Sequence, residues 1–393
     1  MARPSLLGLV VCFASLAFAQ NAIPNSRAAQ ASSTPVQVVY VIDGTSLVTY
    51  NVDPQTLYAT QVGTPLTVGG LTGYGTLFPS PNDHFVYFVS PDAQGIDHLW
   101  VYVTDASGVP QAPATQKMTV NGFWGFQLDP RSNFAYLVFK SPNNGSYNAT
   151  YSIRRYVVDP VSGRLSQALV EATYVLPDDP SGAYCWLGLL GFNPAATTLY
   201  DATICANRDN GGGTAFERTL NSQTGALGPD VQIYSWSSGN GGYESVQFVQ
   251  NLMFDFVAPN GFQQGIDWVN IDPVKPHTKP LVHCTANMLE ACGNAGGVAH
   301  PSGKYLFMRI SPDATQIERV ALSRHRVVDT GNYIPYGFGQ FSPDGSVVYG
   351  ILNQTSGYAL EIYGFNATTS AVRPGGSIFV PSGLDSYFVA ERY

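Results

Sequence analysis

Phe341-Ser342-Pro343-Asp344-Gly345-Ser346-Val347-Val348-Tyr349 sets an apolar residue, a polar residue and a proline before a turn, then runs into an alternating apolar strand that ends on an aromatic ring. Proline presets φ, Asp-Gly supplies the tight turn and the alternation that follows buries one face, so the phrase predicts a strand-turn-strand hairpin. It returns as Ala299-His300-Pro301-Ser302-Gly303-Lys304-Tyr305-Leu306-Phe307, and as Phe192-Asn193-Pro194 running to Leu199-Tyr200. Leu128-Asp129-Pro130 running to Ala135-Tyr136, and Pro79-Ser80-Pro81 running to Val86-Tyr87, are further copies. In these five copies the aromatic residue stands six places after the proline, which fixes the register.

Two degenerate copies extend the series. Phe248-Val249-Gln250-Asn251 leading to Phe254-Asp255-Phe256 lacks the proline, and Val38-Val39-Tyr40 starts partway through the phrase. The expected markers are then Tyr40, Tyr87, Tyr136, Tyr200, Phe256, Phe307 and Tyr349, spaced 42 to 64 residues apart. Beyond each marker a second pair of strands is expected, as in His98 to Val103, Tyr151 to Asp159 and Leu360 to Phe365. Asp53-Pro54, Asp159-Pro160-Val161-Ser162-Gly163 and Asn221-Ser222-Gln223-Thr224-Gly225 turn the chain into a fourth strand. Four strands per roughly 40–50 residues is the period of a propeller blade. The first copy lacks its innermost strand, whereas Ser386-Tyr387-Phe388-Val389-Ala390 is a strand with no blade of its own. Pairing the two would remove an open edge. The expectation is an all-β, seven-bladed β-propeller over residues 36–393, closed by N- and C-terminal strands in one blade.

Composition agrees. Only 12% of residues are charged, against about 25% in a typical soluble protein, while Gly (40), Pro (27) and Tyr (23) are plentiful. A net charge of −8 argues against nucleic acid or an anionic membrane as partner, since both need clustered basic residues. Arg3, an apolar run from Leu6 to Phe18 and the small-x-small closure Ala17-Phe18-Ala19 read as a signal peptide over residues 1–19. Residues 20–35 read as a polar, disordered leader. The run is too short to span a bilayer, and no later stretch reaches the ~20 apolar residues a membrane helix needs. A secreted or periplasmic protein is expected.

In an oxidising compartment cysteines pair by default. Cys185 and Cys205 lie equally far from Ala195, so a hairpin tip there would set them face to face; Cys284 and Cys292 would close a short loop. The metal alternative, His283, Cys284, Cys292 and His300, matches no zinc spacing. Asp209-Asn210-Gly211-Gly212-Gly213 lacks the alternating carboxylates of a calcium loop. No metal or other cofactor is expected. Asn144, Asn148, Asn353 and Asn366 stand in N-x-Ser/Thr sequons, which suggest exposed loops.

The phrases FSPDGSVVYGI (341–351), AHPSGKYLFM (299–308) and YVVDPVSGRLSQ (156–167) resemble the repeats of the YVTN or lactonase-like β-propeller superfamily. That group includes 6-phosphogluconolactonase-type and carboxymuconate-cyclising enzymes, and the resemblance covers essentially all of residues 36–393. It implies polar His, Glu and Arg side chains gathered at one mouth of a channel. No family catalytic motif matches here residue by residue: His84, His98, His277, His283, His300 and His325 stand in six different settings.

Equivalent positions in a propeller surround one axis, so the register itself locates a mouth. Seven residues before the repeat proline stand Tyr74, Phe123, Leu187, Asn294 and Tyr336, with Tyr243 in the proline-less copy and Tyr387 on the C-terminal strand. One place further lie Trp124 and Glu244. The ring of aromatics reads either as a stacking platform for a sugar or other flat ligand with Glu244 as its polar anchor, or as a plug that packs the innermost strands. Glu244 reads equally as a solvated residue at a loop edge, and Arg309 and Asp255 as its partners or as members of structural ion pairs. Two functions follow. One is a scaffold binding a small molecule, a carbohydrate or a protein; the other is a lactonase-like hydrolase or cyclising enzyme acting on a small lactone or sugar acid.

Overall fold

The structure is a computed structural model whose described residues are 36–68, 75–142, 147–178, 183–193, 195–207, 211–238, 244–249, 252–257, 265–270, 278–282, 297–311, 314–321, 326–334, 337–354, 357–380 and 387–392. All regular structure among them is β. The first sheet contains β1 (Val36–Asp43), β2 (Ser46–Val52) and β3 (Ala59–Thr67). The second contains β4 (Thr76–Pro79), β5 (Phe85–Pro91), β6 (Asp97–Val103) and β7 (Gln116–Thr119). The third contains β8 (Phe123–Leu128), β9 (Phe134–Pro142), β10 (Asn148–Val158) and β11 (Leu165–Pro177). The fourth contains β12 (Ala183–Phe192), β13 (Thr198–Asn207), β14 (Gly211–Thr219) and β15 (Val231–Ser238). The fifth contains β16 (Glu244–Val249), β17 (Leu252–Val257), β18 (Gly265–Asn270) and β19 (Thr278–Val282). The sixth contains β20 (Gly297–Ala299), β21 (Tyr305–Ser311), β22 (Ala314–Ala321) and β23 (Arg326–Ile334). The seventh contains β24 (Gly337–Phe341), β25 (Val347–Gln354), β26 (Gly357–Phe365) and β27 (Val372–Val380).

Each of these is a four-stranded antiparallel meander, and the first is completed by β28 (Tyr387–Arg392). β28 pairs with β1 from Val41↔Tyr387 to Val36↔Arg392, so the two ends of the described chain share one sheet. The all-β propeller expected from the repeat is the observed architecture.

The hairpin phrase owes its geometry to its polar residue. Ser80 and Ser342 accept the backbone N–H of Phe85 and Val347 at 2.9 Å through their hydroxyls. Asp129 accepts from Asn133 and Phe134, and Asn193 from Thr197 and Thr198. Each side chain thus satisfies turn N–H groups that the ladder leaves open. Two residues after the proline the chain enters the left-handed region in every copy: Asp83, Ser132, Ala196, Gly303 and Gly345 all have φ between 52° and 74°.

The aromatic markers fill the spaces between sheets. Tyr40, Tyr87, Tyr136, Phe307 and Tyr349 are at most 2% exposed, and burying one such ring is worth roughly 1.5–3 kcal/mol. In the fifth sheet the marker position belongs to Phe254 rather than to the expected Phe256. Without the proline, a short Val249–Leu252 connection replaces the longer turn, which makes Phe254 the third residue of β17, fully buried and paired with Gln247.

The tyrosine hydroxyls latch one sheet to the next. Tyr40 donates to the Gly108 carbonyl at 2.8 Å, Tyr87 to Gly163 at 2.8 Å, and Tyr136 to Gly225. Each acceptor sits in the turn between the third and fourth strands of the following sheet. Tyr305 reaches the corresponding turn of the seventh sheet at Ala367, 2.9 Å away. Tyr349 donates to Gln37 Oε1 on β1 at 2.9 Å. Gly163 is indispensable to its latch: φ is +69°, and a Cβ would stand 2.6 Å from the Phe85 ring. The apolar clusters follow the same order. One joins the first sheet to the second, others join the second to the third and the third to the fourth, and another joins the seventh to the first through Val39, Leu57, Tyr349 and Leu360.

Candidate functional site

First strands of neighbouring sheets lie against one another where β28 meets β4 and β24, β12 meets β8 and β16, and β16 meets β20. β8 starts at Phe123, β16 at Glu244 and β28 at Tyr387, so three of the candidate positions open the first strands of three sheets. Glu244 pairs with Val257 and Tyr387 with Val41 in the backbone ladder. Tyr74, Tyr243, Tyr336 and Asn294 lie outside the described residues, as do Cys284, Cys292, His277, His283 and His325. The side chains of Glu244, Tyr387, Asp255 and Arg309 are likewise not among the described atoms.

The aromatic candidates that are described are engaged in packing. Phe123 is half-buried against the cluster between the second and third sheets, with its ring 6.1 Å from that of Phe78 and edge-on to it. Leu187 is fully buried between the third and fourth sheets and does not line a mouth. Trp124 faces that same interface and meets Tyr151 edge-on at 5.8 Å. There the geometry adds a group that the repeat register did not single out. Lys140 on β9 places its ammonium 5.3 Å from the Trp124 ring, 5.9 Å from Tyr151 and 5.0 Å from Tyr184, and 2.9 Å from the Asp178 carboxylate. Three ring faces and one carboxylate thus hold a single cation, an arrangement worth about 1–2 kcal/mol through the rings where water is partly excluded. Burial holds the Tyr151 hydroxyl protonated well above the usual phenol range.

Gly122 governs the approach to this corner. Its φ is +71°, and a Cβ would lie 2.1 Å from the Lys140 carbonyl oxygen, while the Lys140 N–H donates to the Gly122 carbonyl at 2.7 Å. The turn into β8 is therefore pinned to the end of β9.

A second ionic group lies between the outer strands of the third and fourth sheets. Arg218 donates to the Asp201 carboxylate at 2.6 Å and to the Tyr174 hydroxyl, and lies 3.5 Å from Asp230. Arg155 donates to Glu171 at 2.7 Å, and the other oxygen of Glu171 accepts the Leu227 N–H at 2.8 Å. Burial raises the Asp201 carboxyl, and the Arg218 guanidinium opposes that rise. These charges are directed at one another, as in a structural brace.

His300 is resolved as a structural residue. It is 1% exposed, its Nε2 lies 3.0 Å from the Gly345 carbonyl and its Nδ1 accepts the Ser302 N–H at 3.1 Å. A carbonyl can only accept, so Nε2 carries the proton and both ring nitrogens are engaged. Burial pushes its pKa down to about 4. Cys185 and Cys205 stand opposite each other on β12 and β13 with Cα atoms 4.0 Å apart and are joined by a disulfide, as the spacing predicted.

No family model matches the chain, and no curated protein matches it. Solved structures do. A candidate 6-phosphogluconolactonase from Bacteroides uniformis aligns with a TM-score of 0.62 at 14% identity, covering 91% of this chain and 100% of that one. The periplasmic gluconolactonase of Pseudomonas aeruginosa aligns with a TM-score of 0.59 at 13% identity, over 91% and 99% of the two chains. Prolyl oligopeptidase B from Galerina marginata aligns with a TM-score of 0.54 at 11% identity, over 88% of this chain but only 50% of that one. At these identities the likeness establishes the fold: this chain is a β-propeller whose structural neighbours include lactonase-like propellers.

Proposed function

We propose that this chain is an exported, lactonase-like propeller in which seven blades close into one ring, and that it opens a small lactone at the channel mouth. The observation that carries the reading is the extent of the structural likeness: two lactonase-like neighbours align over 99–100% of their own length. The peptidase neighbour, by contrast, is matched over half its length. Ring closure draws support from the β28–β1 pairing, from the apolar cluster between the seventh and first sheets and from the Tyr349–Gln37 latch.

Glu244 is the residue assigned to the chemistry, because it opens a first strand at the mouth and a carboxylate can serve as general base. It takes a proton from water as the oxygen attacks the lactone carbonyl. The acyl–oxygen ring bond then breaks, and the departing alkoxide is protonated to give the open hydroxy acid. Tyr387, Tyr74, Tyr243 and Tyr336 supply the walls on which a sugar-like ring would rest. Export follows from the reading of residues 1–19, and the Cys185–Cys205 disulfide is consistent with an oxidising compartment.

A ligand-binding scaffold is the second reading. It is favoured by one observation, that Phe123 and Trp124 spend their faces on sheet interfaces and on Lys140. The test is hydrolysis of glucono-δ-lactone by the purified protein and its Glu244→Gln variant. Turnover lost in the variant supports the enzyme; a wild-type rate equal to the spontaneous one leaves the scaffold.

A further inference from the structure

The third sheet overhangs the second. β10 and β11 run from Asn148 to Val158 and from Leu165 to Pro177, whereas β6 and β7 of the neighbouring sheet span only Asp97–Val103 and Gln116–Thr119. Where the two sheets overlap, the face of β9 and β10 turned toward the second sheet is apolar, with Leu137 and Tyr156 in the shared cluster. Along the overhang the same face changes character. Alternate residues of β10 share a face, and here they are Thr150, Ser152 and Arg154. Ser152 is flanked in the ladder by Phe139 on β9 and Thr173 on β11.

These residues line a cavity of about 550 Å³ beside Asn121 and Gly122, at the end of the sheet where β8 starts. No carboxylate lines it. The Arg154 guanidinium lies 4.5 Å from the centre of the Phe139 ring, and no carboxylate pairs with it among the described residues. Its Nε is buried without a hydrogen-bond partner, and the guanidinium also interacts with the Tyr156 hydroxyl. A buried N–H left unpaired costs about 1–3 kcal/mol, a cost that an acceptor in the cavity would remove.

We propose that this notch is a binding site for a small oxyanion, the phosphate or carboxylate group of a polar metabolite. Arg154 holds the anion through charge-assisted hydrogen bonds, while Ser152, Thr150 and Thr173 meet its remaining oxygens or adjoining hydroxyls. The Phe139 ring packs against the guanidinium and limits its movement. The site belongs to the third sheet and does not depend on lactone chemistry at Glu244.

The test is calorimetric titration of the full mature protein with inorganic phosphate and, separately, with gluconate. Saturable binding of either at one site is expected, weakened about tenfold or more in Arg154→Gln, a loss of one charge-assisted contact. Phosphate binding alone, or gluconate binding alone, identifies which oxyanion the notch prefers and supports the proposal equally. Thr173→Val, which leaves the charge in place, weakens binding severalfold and guards against a folding artefact; thermal midpoints of both variants are compared with wild type. Arg154→Gln weakens phosphate binding without changing the rate of glucono-δ-lactone opening, which separates this site from the proposed catalytic mouth. Absence of saturable binding by both anions, or unchanged phosphate affinity in Arg154→Gln, would overturn the assignment.

Discussion

Acidification offers a direct probe of how the sixth and seventh sheets are held together, through His300. In the folded protein the ring is neutral, wedged against Tyr305, Phe341 and Phe365 at centroid distances of 5.0–6.0 Å, and its pKa is about 4 against an ordinary value of 6.5. Because the folded pKa lies below the unfolded one, the unfolded chain binds the extra proton first as pH falls. Stability contributed by neutral His300 is therefore complete above about pH 7, declines as pH falls through 6.5 and stops declining below about 4. A gap of this size is worth about 3 kcal/mol in all, of which about 2 kcal/mol is lost between pH 7.5 and pH 5. The comparison is His300→Asn, because Asn193 already caps the equivalent turn of the fourth sheet. At pH 7.5 the variant should be less stable by about 2–3 kcal/mol, from lost ring packing and an unpaired Gly345 carbonyl. Its further loss on moving to pH 5 should be smaller than wild type's by about 2 kcal/mol. Urea unfolding at the two pH values measures both quantities. Equal acid sensitivity in the two proteins would refute the reasoning, since other titrating groups are common to both.

Three further outcomes are expected. Tyr136→Phe removes the hydroxyl that reaches Gly225 and leaves a buried carbonyl unpaired, so denaturant unfolding should show a loss of about 1–3 kcal/mol with the ring packing intact. Gly163→Ala forces a side chain into positive φ and against Phe85, and a thermal scan should find it destabilised by more than the roughly 1 kcal/mol of the conformational term alone. Replacing Cys185 and Cys205 together by Ser frees a loop with a sequence separation of 20, which should cost about 3 kcal/mol in non-reducing unfolding experiments and nothing further when reductant is added.

The fold was legible because one hairpin phrase carries its own physics. Proline, a polar cap and a buried aromatic ring stand at fixed offsets from one another, and five copies keep all three. The left-handed residue two places after the proline was hidden, since glycine marks it only at Gly303 and Gly345 while Asp83, Ser132 and Ala196 adopt the same φ. The fifth sheet misled for a related reason: losing the proline shortened its turn, and the marker moved from Phe256 to Phe254. The latches were half visible. The tyrosines stood out as markers, but their glycine acceptors lie 68 to 89 residues away, a distance over which no local pattern operates.

Of the candidate site, only the strand starts were legible. Register placed Phe123 and Tyr387 at strand starts and Glu244 one place further along its copy, and β8, β28 and β16 begin at these three residues because blade geometry is periodic. It could not say which way a side chain turns, and Trp124 serves the interface between the third and fourth sheets. Lys140 and Arg154 left no signal, since a single cation in a long strand looks like an ordinary solvated residue. Their roles arise from what the neighbouring strands bring to them: three rings and Asp178 for Lys140, and Phe139 with a row of hydroxyls for Arg154.

The most direct test of the functional account is a pH-stat assay of lactone opening by the purified protein, with glucono-δ-lactone as probe and Glu244→Gln as its paired control. The account predicts acid release above the spontaneous rate in wild type, falling by about two orders of magnitude or more when the general base is removed. Acid release at the spontaneous rate in wild type, or an undiminished rate in the variant, would contradict it.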